Sequence, residues 1–393
     1  MLPKKIAEGV WWIGAADWDR RLFDSLIPLP DGTSYNSYLV KGTEKTAILD
    51  TVDPTKAHEF RSFLGAIDKV DYIISHHAEQ DHTGLLPELM ERYPSAKVLS
   101  SPKGKGLLAD HLAIPEERIS TVADGETLLL GGKTIEFLHT PWVHWPETMC
   151  TYIKEDRLLF TCDLFGSHLA SSDIFYADGA QLVSDAAKRY YAEVMMPFRA
   201  TIKKHMERFD KYPVDIIAPS HGPVHKDPKP ILEAHRRWVS DAIENTVIIP
   251  YATMHGSTQL LVERLAQALS DNGVRVEKYN LAVTDTGKFA MSLVDAATVV
   301  YGTPTVLSGA HPMVIAAAFM MNALKPKVRH TGVIGSYGWG GRAVEQITAT
   351  LSGLKTEALE PVLAKGLPRE ADYGSVDALA AKIIEKHREL KLL

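Results

Sequence analysis

Cysteine is scarce in this chain of 393 residues: only Cys150 and Cys162 occur, with no C-x-x-C pair. That excludes a disulfide framework, a zinc ribbon and an iron–sulfur cluster held by this chain alone. So thiol-poor a composition fits a reducing compartment, and a cytoplasmic location is expected. Long apolar runs are missing as well. The greasiest stretch, "MVIAAAFMM", falls far short of the ~20 residues that span a bilayer. The opening "MLPKKIAEGVWWIG" lacks the apolar segment of a signal peptide. Neither a basic stripe nor a basic amphipathic helix is present, and the formal net charge is -6. Nucleic acid and membrane surfaces are therefore not expected partners. There is no G-x-G-x-x-G and no P-loop lysine, so NAD and ATP find little support.

What is present is an ordinary globular composition, 45% hydrophobic, long enough for two domains. Up to about residue 245 the chain reads as short strands in two batches, with helices between and after them. "TSYNSYLV", "KTAILDT", "VDYIIS", "AKVLSS", "DRLLFTCD" and "VDIIAPSHG" are strand-like, and "AHEFRSFLGAI" and "GLLPELMERYP" are helix-like. The long stretch "AAKRYYAEVMMPFRATIKKHMERF" is helical but broken near Pro197. This pattern predicts a β-sandwich covered by helices over residues 1–245. From residue 246 the rhythm becomes regular strand–helix alternation, which predicts a doubly wound parallel sheet over 246–393.

The densest chemistry lies in "IISHHAEQDHTG". His77, Glu79, Asp81 and His82 follow directly on an apolar strand, where a tight turn aims several side chains at one point. Imidazole and carboxylate together suit iron, zinc or manganese. One loop rarely completes such a site, and three further candidates each follow or end an apolar run: His144 in "TPWVHWPETM", Asp163 in "LLFTCDLFG" and His221 in "IIAPSHGPV". Four histidines, two aspartates and a glutamate suffice for two metals with three terminal ligands each and one bridging carboxylate; a single zinc needs fewer. His76, His139, His168 and His225 are read as ordinary core or surface histidines.

A second constellation sits in "YATMHGST". Thr253, Met254, His255, Gly256, Ser257 and Thr258 bridge a strand and a helix start. Hydroxyls and backbone N–H groups at such a point hold a phosphate without a cation, although helix capping alone uses the same residues. Two later strand ends, with Thr303, Pro304 and Thr305 in "YGTPTVLSGAHP" and Ser336, Tyr337, Gly338 and Trp339 in "GSYGWGG", place hydroxyls and an aromatic where such a sheet would hold a ring.

H-x-E-x-D-H followed by H, D and H at these separations resembles the metallo-β-lactamase-like half of the flavodiiron proteins, also called A-type flavoproteins. Zinc hydrolases of that fold carry H-x-H-x-D-H, so Glu79 stands at the iron-type substitution, a hard anionic oxygen. The three loops of the second half resemble flavodoxin, and the order of the two halves is that of the flavodiiron family in its minimal two-domain form. The resemblance implies one iron on His77, Glu79 and His144, another on Asp81, His82 and His221, Asp163 as bridge, and FMN in the second half. It implies reduction of O2 to water, of NO to N2O, or both. The donor would be a protein such as rubredoxin, or a reduced deazaflavin. The assembly would be a head-to-tail homodimer or a dimer of dimers. It places Tyr191 near the substrate pocket, where helix packing is the plainer role, and Trp145 beside the metals. Two departures are visible: Asp24 stands in "RRLFDSLIP" where many relatives have histidine, and Ala252 replaces an acidic residue of the phosphate loop. Two rival readings remain: a zinc hydrolase of the lactamase-like fold with a flavodoxin-like appendage, and an FMN electron carrier whose metals are structural.

Overall fold

The computed structural model describes residues 3–175 and 180–393. The chain divides into two compact units, Met1–Val239 and Ser240–Leu393.

In the first unit, apolar residues alternating along short strands build two sheets that bury their facing sides against each other. One sheet runs in the order Lys4–Ala7, Val10–Trp12, Tyr38–Lys41, Thr46–Leu49, Tyr72–Ile74, Lys97–Ser100 and Ile119–Thr121. The other runs Thr127–Leu129, Thr134–His139, Met149–Ile153, Leu158–Cys162 and Ile216–Pro219. Val40, Ile48, Ile73 and Val98 of the first share one core with Ile135, Phe137, Met149 and Phe160 of the second. The Tyr38 ring spans the seam, 5.0 Å from the Phe160 ring, and its hydroxyl donates to the Pro219 carbonyl at 2.5 Å.

Helices cover both sides. Ala57–Leu64 and Leu86–Arg92 turn Phe60, Phe63, Leu86 and Leu89 into the same core. On the other side, Arg208 of the helix Arg199–Phe209 donates to the His139 carbonyl at 3.2 Å. This is the metallo-β-lactamase-like αββα sandwich expected for the first half. Strands Leu158–Cys162 and Ile216–Pro219 run parallel, so the residues that follow them, Asp163 and His221, emerge at one edge. The Met149 N–H donates to the His76 carbonyl at 3.0 Å, which ties the corresponding edge of the first sheet to the second.

The helical stretch thought to break at Pro197 is more elaborate. An α-helix, Ala180–Tyr190, passes into a π turn at Tyr191–Met195, a short 3-10 turn at Met196–Phe198, and then Arg199–Phe209.

In the second unit, five parallel positions stand in the order Arg275–Asn280, Glu244–Tyr251, Ala296–Val306, His330–Tyr337 and Val362–Lys365. In sequence rank this is 2-1-3-4-5, the flavodoxin-like order, with its topological switch beside the first strand. The fifth strand and the helix Thr286–Leu293 escaped the sequence reading. "VLAK" is short and buries only alternate residues, and the helix is eight residues long with a glycine in its first turn. Helix Glu370–Glu389 is fixed to the sheet by a buried imidazole: His387 contacts Thr298 Oγ1 at 2.9 Å and Asn245 Oδ1 at 2.7 Å.

Strands three and four lie so close that a Cβ on Gly335 would stand 2.0 Å from the Thr303 carbonyl oxygen. Gly335→Ala should therefore destabilise the second unit by about 1–3 kcal/mol, the usual cost of overpacking. A urea titration followed by circular dichroism measures it; an unchanged midpoint would contradict the packing described.

Candidate metal centre and flavin crevice

A strand end, a short loop and a helix start build the first part of the site. After Tyr72–Ile74 the chain turns through Ser75–His77, and a short helix Gln80–Thr83 begins immediately. His77 and Glu79 thus precede the helix while Asp81 and His82 lie in it. The other three predicted residues arrive from the second sheet.

The structure brings all seven together in two adjoining groups. His77, Glu79, His144 and Asp163 each offer one ligand atom within 4.8 Å of one another, and so do Asp81, His82 and His221. Asp163 stands between them. Its Oδ2 faces His144 Nε2 at 3.4 Å and His77 Nε2 at 3.6 Å, while its Oδ1 faces His82 Nε2 at 3.1 Å and His221 Nε2 at 3.4 Å.

Both oxygens of Asp163 and of Asp81, and both nitrogens of His82, are buried without a hydrogen bond of acceptable geometry among the described residues. Buried polar atoms left so are costly, and cations at the two foci would satisfy the four carboxylate oxygens and His82 Nε2. The donor set therefore fits a metal pair. The ring orientations support this. His77 Nδ1 donates to Glu147 Oε1 at 2.6 Å and His221 Nδ1 to the Ser34 carbonyl at 2.7 Å, leaving each Nε2 directed inward. A pocket of about 270 Å³ opens on the cluster, walled by Phe23, Asp24, Ile27, Trp145, Tyr190 and Glu193.

In the second unit, the carboxyl ends of strands one, three and four sit side by side, with Thr303 paired to Gly335 and Pro304 to Ser336. Gly256 adopts φ +89°, open to the left-handed region, and starts the helix Ser257–Ser270. Its N–H donates to Thr253 Oγ1 at 3.1 Å. Thr258 and Ser336 share a buried hydroxyl contact at 3.0 Å. Thr305 and Tyr337 line a neighbouring cavity of about 470 Å³. Trp339 is 92% exposed, so it is no core residue.

Two family models cover most of the chain: ODP family beta lactamase over residues 33–222, and flavodoxin over 249–383. A type A flavoprotein of Rhodobacter capsulatus is 35% identical, covering 92% of this chain and 86% of that one. A nitric oxide reductase of Moorella thermoacetica is 34% identical over 97% and 98% of the two chains. The solved rubredoxin oxygen:oxidoreductase from the anaerobe Desulfovibrio gigas superposes with a TM-score of 0.95 at 29% identity, covering 98% of this chain and 99% of that one. The chain belongs to the type A flavoprotein, or flavodiiron, family.

In this flavodiiron chain Tyr191 takes the plainer of its two readings, helix packing. Tyr191 does not line the pocket. It is fully buried, its hydroxyl donates to the Trp238 carbonyl at 3.2 Å, and its ring packs on Trp238 at 5.2 Å. The adjacent Tyr190 takes the pocket position. Two consecutive tyrosines point about 100° apart on a helix, and their phase against the site is set by the π turn that follows, which no sequence period announces. Glu147 and Glu193 were also missed; each was one more carboxylate in a helix or loop. Trp145 does lie beside the cluster, its ring 4.8 Å from that of His77.

The histidines set aside stand outside both groups. His76 is a core residue bound to Asp50 Oδ2 at 2.7 Å and Thr151 Oγ1 at 2.9 Å, and His225 meets the Phe165 carbonyl at 3.1 Å. His168 is less remote than its plain reading implied: its ring centre lies 5.1 Å from that of His221. Asp24 sits in the tight turn between Leu22–Phe23 and Ile27–Pro28, and burial together with the Glu79 and Asp81 carboxylates raises its pKa.

Charge balance in the cluster is set by proximity. Burial opposes protonation of His144 and His221, but the carboxylates of Asp163, Glu79 and Asp81 prevail, raising His144 to about 9 and His221 to about 10. Burial likewise disfavours charge on Asp163, yet the surrounding imidazoles hold it well below the usual carboxylate range. Without metal, protons balance the carboxylates, and metals must displace them. These histidines therefore stabilise the metal-free fold below their ordinary value of 6.5, and that contribution fades as pH rises through about 9 to 10. Chelator-treated protein should show a thermal midpoint that falls from pH 6.5 to pH 10, and metal reloading should remove much of that slope; differential scanning calorimetry decides it.

Proposed function

We propose that this chain is a flavodiiron reductase that passes electrons from a donor through FMN to a non-haem diiron site, reducing O2 to water, NO to N2O, or both. The observation that carries the reading is the placement of Asp163, one oxygen facing each histidine group. In this reading His77, Glu79 and His144 would hold one iron and Asp81, His82 and His221 the other, with Asp163 offering an oxygen to each. When bound, FMN and the irons together supply the four electrons that, with four protons, convert O2 to two waters, or the two that, with two protons, convert two NO to N2O and water.

The remaining work falls to the chain's own side chains. Phe23, Ile27, Trp145 and Val194 give part of the pocket wall an apolar surface, which suits small uncharged gases. Asp24 and Glu193 give the same pocket carboxyl groups. In the second unit, the N–H groups and hydroxyls of residues 253–258 would cradle the FMN phosphate, with no lysine needed. Thr303, Pro304, Thr305 and Ser336–Trp339 would border the ring.

We assign the donor role to rubredoxin or a reduced deazaflavin, and the cytoplasm as the location. No helix among the described residues is long and apolar enough to cross a membrane. A head-to-tail homodimer, alone or as half of a dimer of dimers, would cover large apolar side chains left in water at both sites. Leu26, at the turn over the metal pocket, is 76% exposed, while Leu307 and Trp339 beside the flavin crevice are 98% and 92% exposed.

Glu79→Ala tests the metal reading. The variant should lose iron and reduce O2 and NO more than ~100-fold more slowly, beyond the 10–100-fold that loss of a supporting partner costs, while FMN remains at one per chain. Metal analysis, flavin absorbance and gas-electrode turnover check this. Full activity in the variant would refute the site, and zinc retained after growth in iron-rich medium would point to hydrolysis.

A further inference from the structure

Among the seven grouped side chains, the imidazoles of His77, His221 and His82 are not supported alike. His77 donates through Nδ1 to a carboxylate, Glu147, at 2.6 Å, and both side chains are wholly buried. His221 donates to a neutral acceptor, the Ser34 carbonyl, at 2.7 Å. His82, equally buried, has no hydrogen-bond partner for Nδ1 among the described residues. Glu147 is itself firmly seated. Its Oε1 also accepts from the Ala78 N–H at 3.0 Å, and its backbone carbonyl accepts from Ser101 Oγ at 2.6 Å. It thereby fixes three segments at once: the turn carrying His77, the loop carrying His144 and the start of the helix Pro102–Leu112.

An anionic acceptor behind an imidazole does two things that a carbonyl does less well. It fixes the ring's tautomer and orientation, and it makes the inward nitrogen a stronger donor to a cation. The two candidate metal positions therefore differ although their ligand counts match. We propose that Glu147 is a positioning residue that makes the His77–Glu79–His144 position the tighter of the two, filled before Asp81–His82–His221. This rests on the flavodiiron reading of the cluster. A merely structural Glu147 would hold the loop equally well as glutamine, which keeps the shape and the acceptor oxygen but lacks the charge.

The test is an anaerobic calorimetric titration of Fe²⁺ into the FMN-loaded chain stripped of metal. The wild type should take up two irons in two resolved steps. Glu147→Gln should weaken the first by ~10–100-fold and leave the second in place, and Glu147→Asp should restore much of the loss. His82→Asn should abolish the second step and keep the first, which tests the order of filling even if the Gln variant fails to fold. Two indistinguishable steps in the wild type, a Gln variant that shifts both steps or neither, or a His82→Asn variant without the first step would overturn the assignment. Uptake of fewer than two irons by the wild type would instead overturn the diiron reading itself.

Discussion

The Asp163 carboxylate is the contact on which the rest of the first unit turns. It is buried, anionic and divided between two histidine groups, a position no isolated carboxylate could hold in an apolar interior. The sandwich makes it tolerable by converging four chain segments from two sheets on one edge. Strand ends serve this well, because a strand delivers its last residue at a fixed height and direction while the following turn is free to vary. The apolar alternation that packs the sheets therefore also sets the register of the ligands. A slip of one residue would bury the wrong face and scatter the site.

The second unit solves a different problem by similar means. Its sheet order leaves a crevice where the first and third strands diverge, and the loops there are rich in hydroxyls and glycine rather than charge. An anion would be held by N–H groups and oxygen-bound protons at a helix start. Ala252, at the start of that loop, is buried, and its N–H donates to the Gly302 carbonyl at 3.0 Å, so it adds no charge beside the helix start.

Much of this was legible in the sequence. The seven clustered residues each follow an apolar strand or begin a helix, so their types and their places in the chain already implied convergence. The alternation after residue 246 gave the doubly wound sheet, though not the short fifth strand, whose half-buried pattern carries little signal. Residues whose role depends on phase or on a distant partner were not legible. Tyr190 and Tyr191 are indistinguishable without knowing where the helix changes pitch. Glu147 is one glutamate in "HWPETM" until the fold sets it against His77, seventy positions earlier. Rules of spacing reach along an element and fail across elements.

The π turn at Tyr191–Met195 has a consequence for how this gene can change. One surplus residue lets Tyr190, Glu193 and Val194 address the pocket while Tyr191 and Met195 pack inward. Losing a single codon there would let the wide turn close to ordinary helical pitch, and the helix beyond it would keep its phase, because the turn had already absorbed the extra residue. Only the side chains within the turn would change places, each by about 100°. The pocket wall can therefore be redrawn by one deletion that leaves the helices on either side where they are, a change that no point substitution makes.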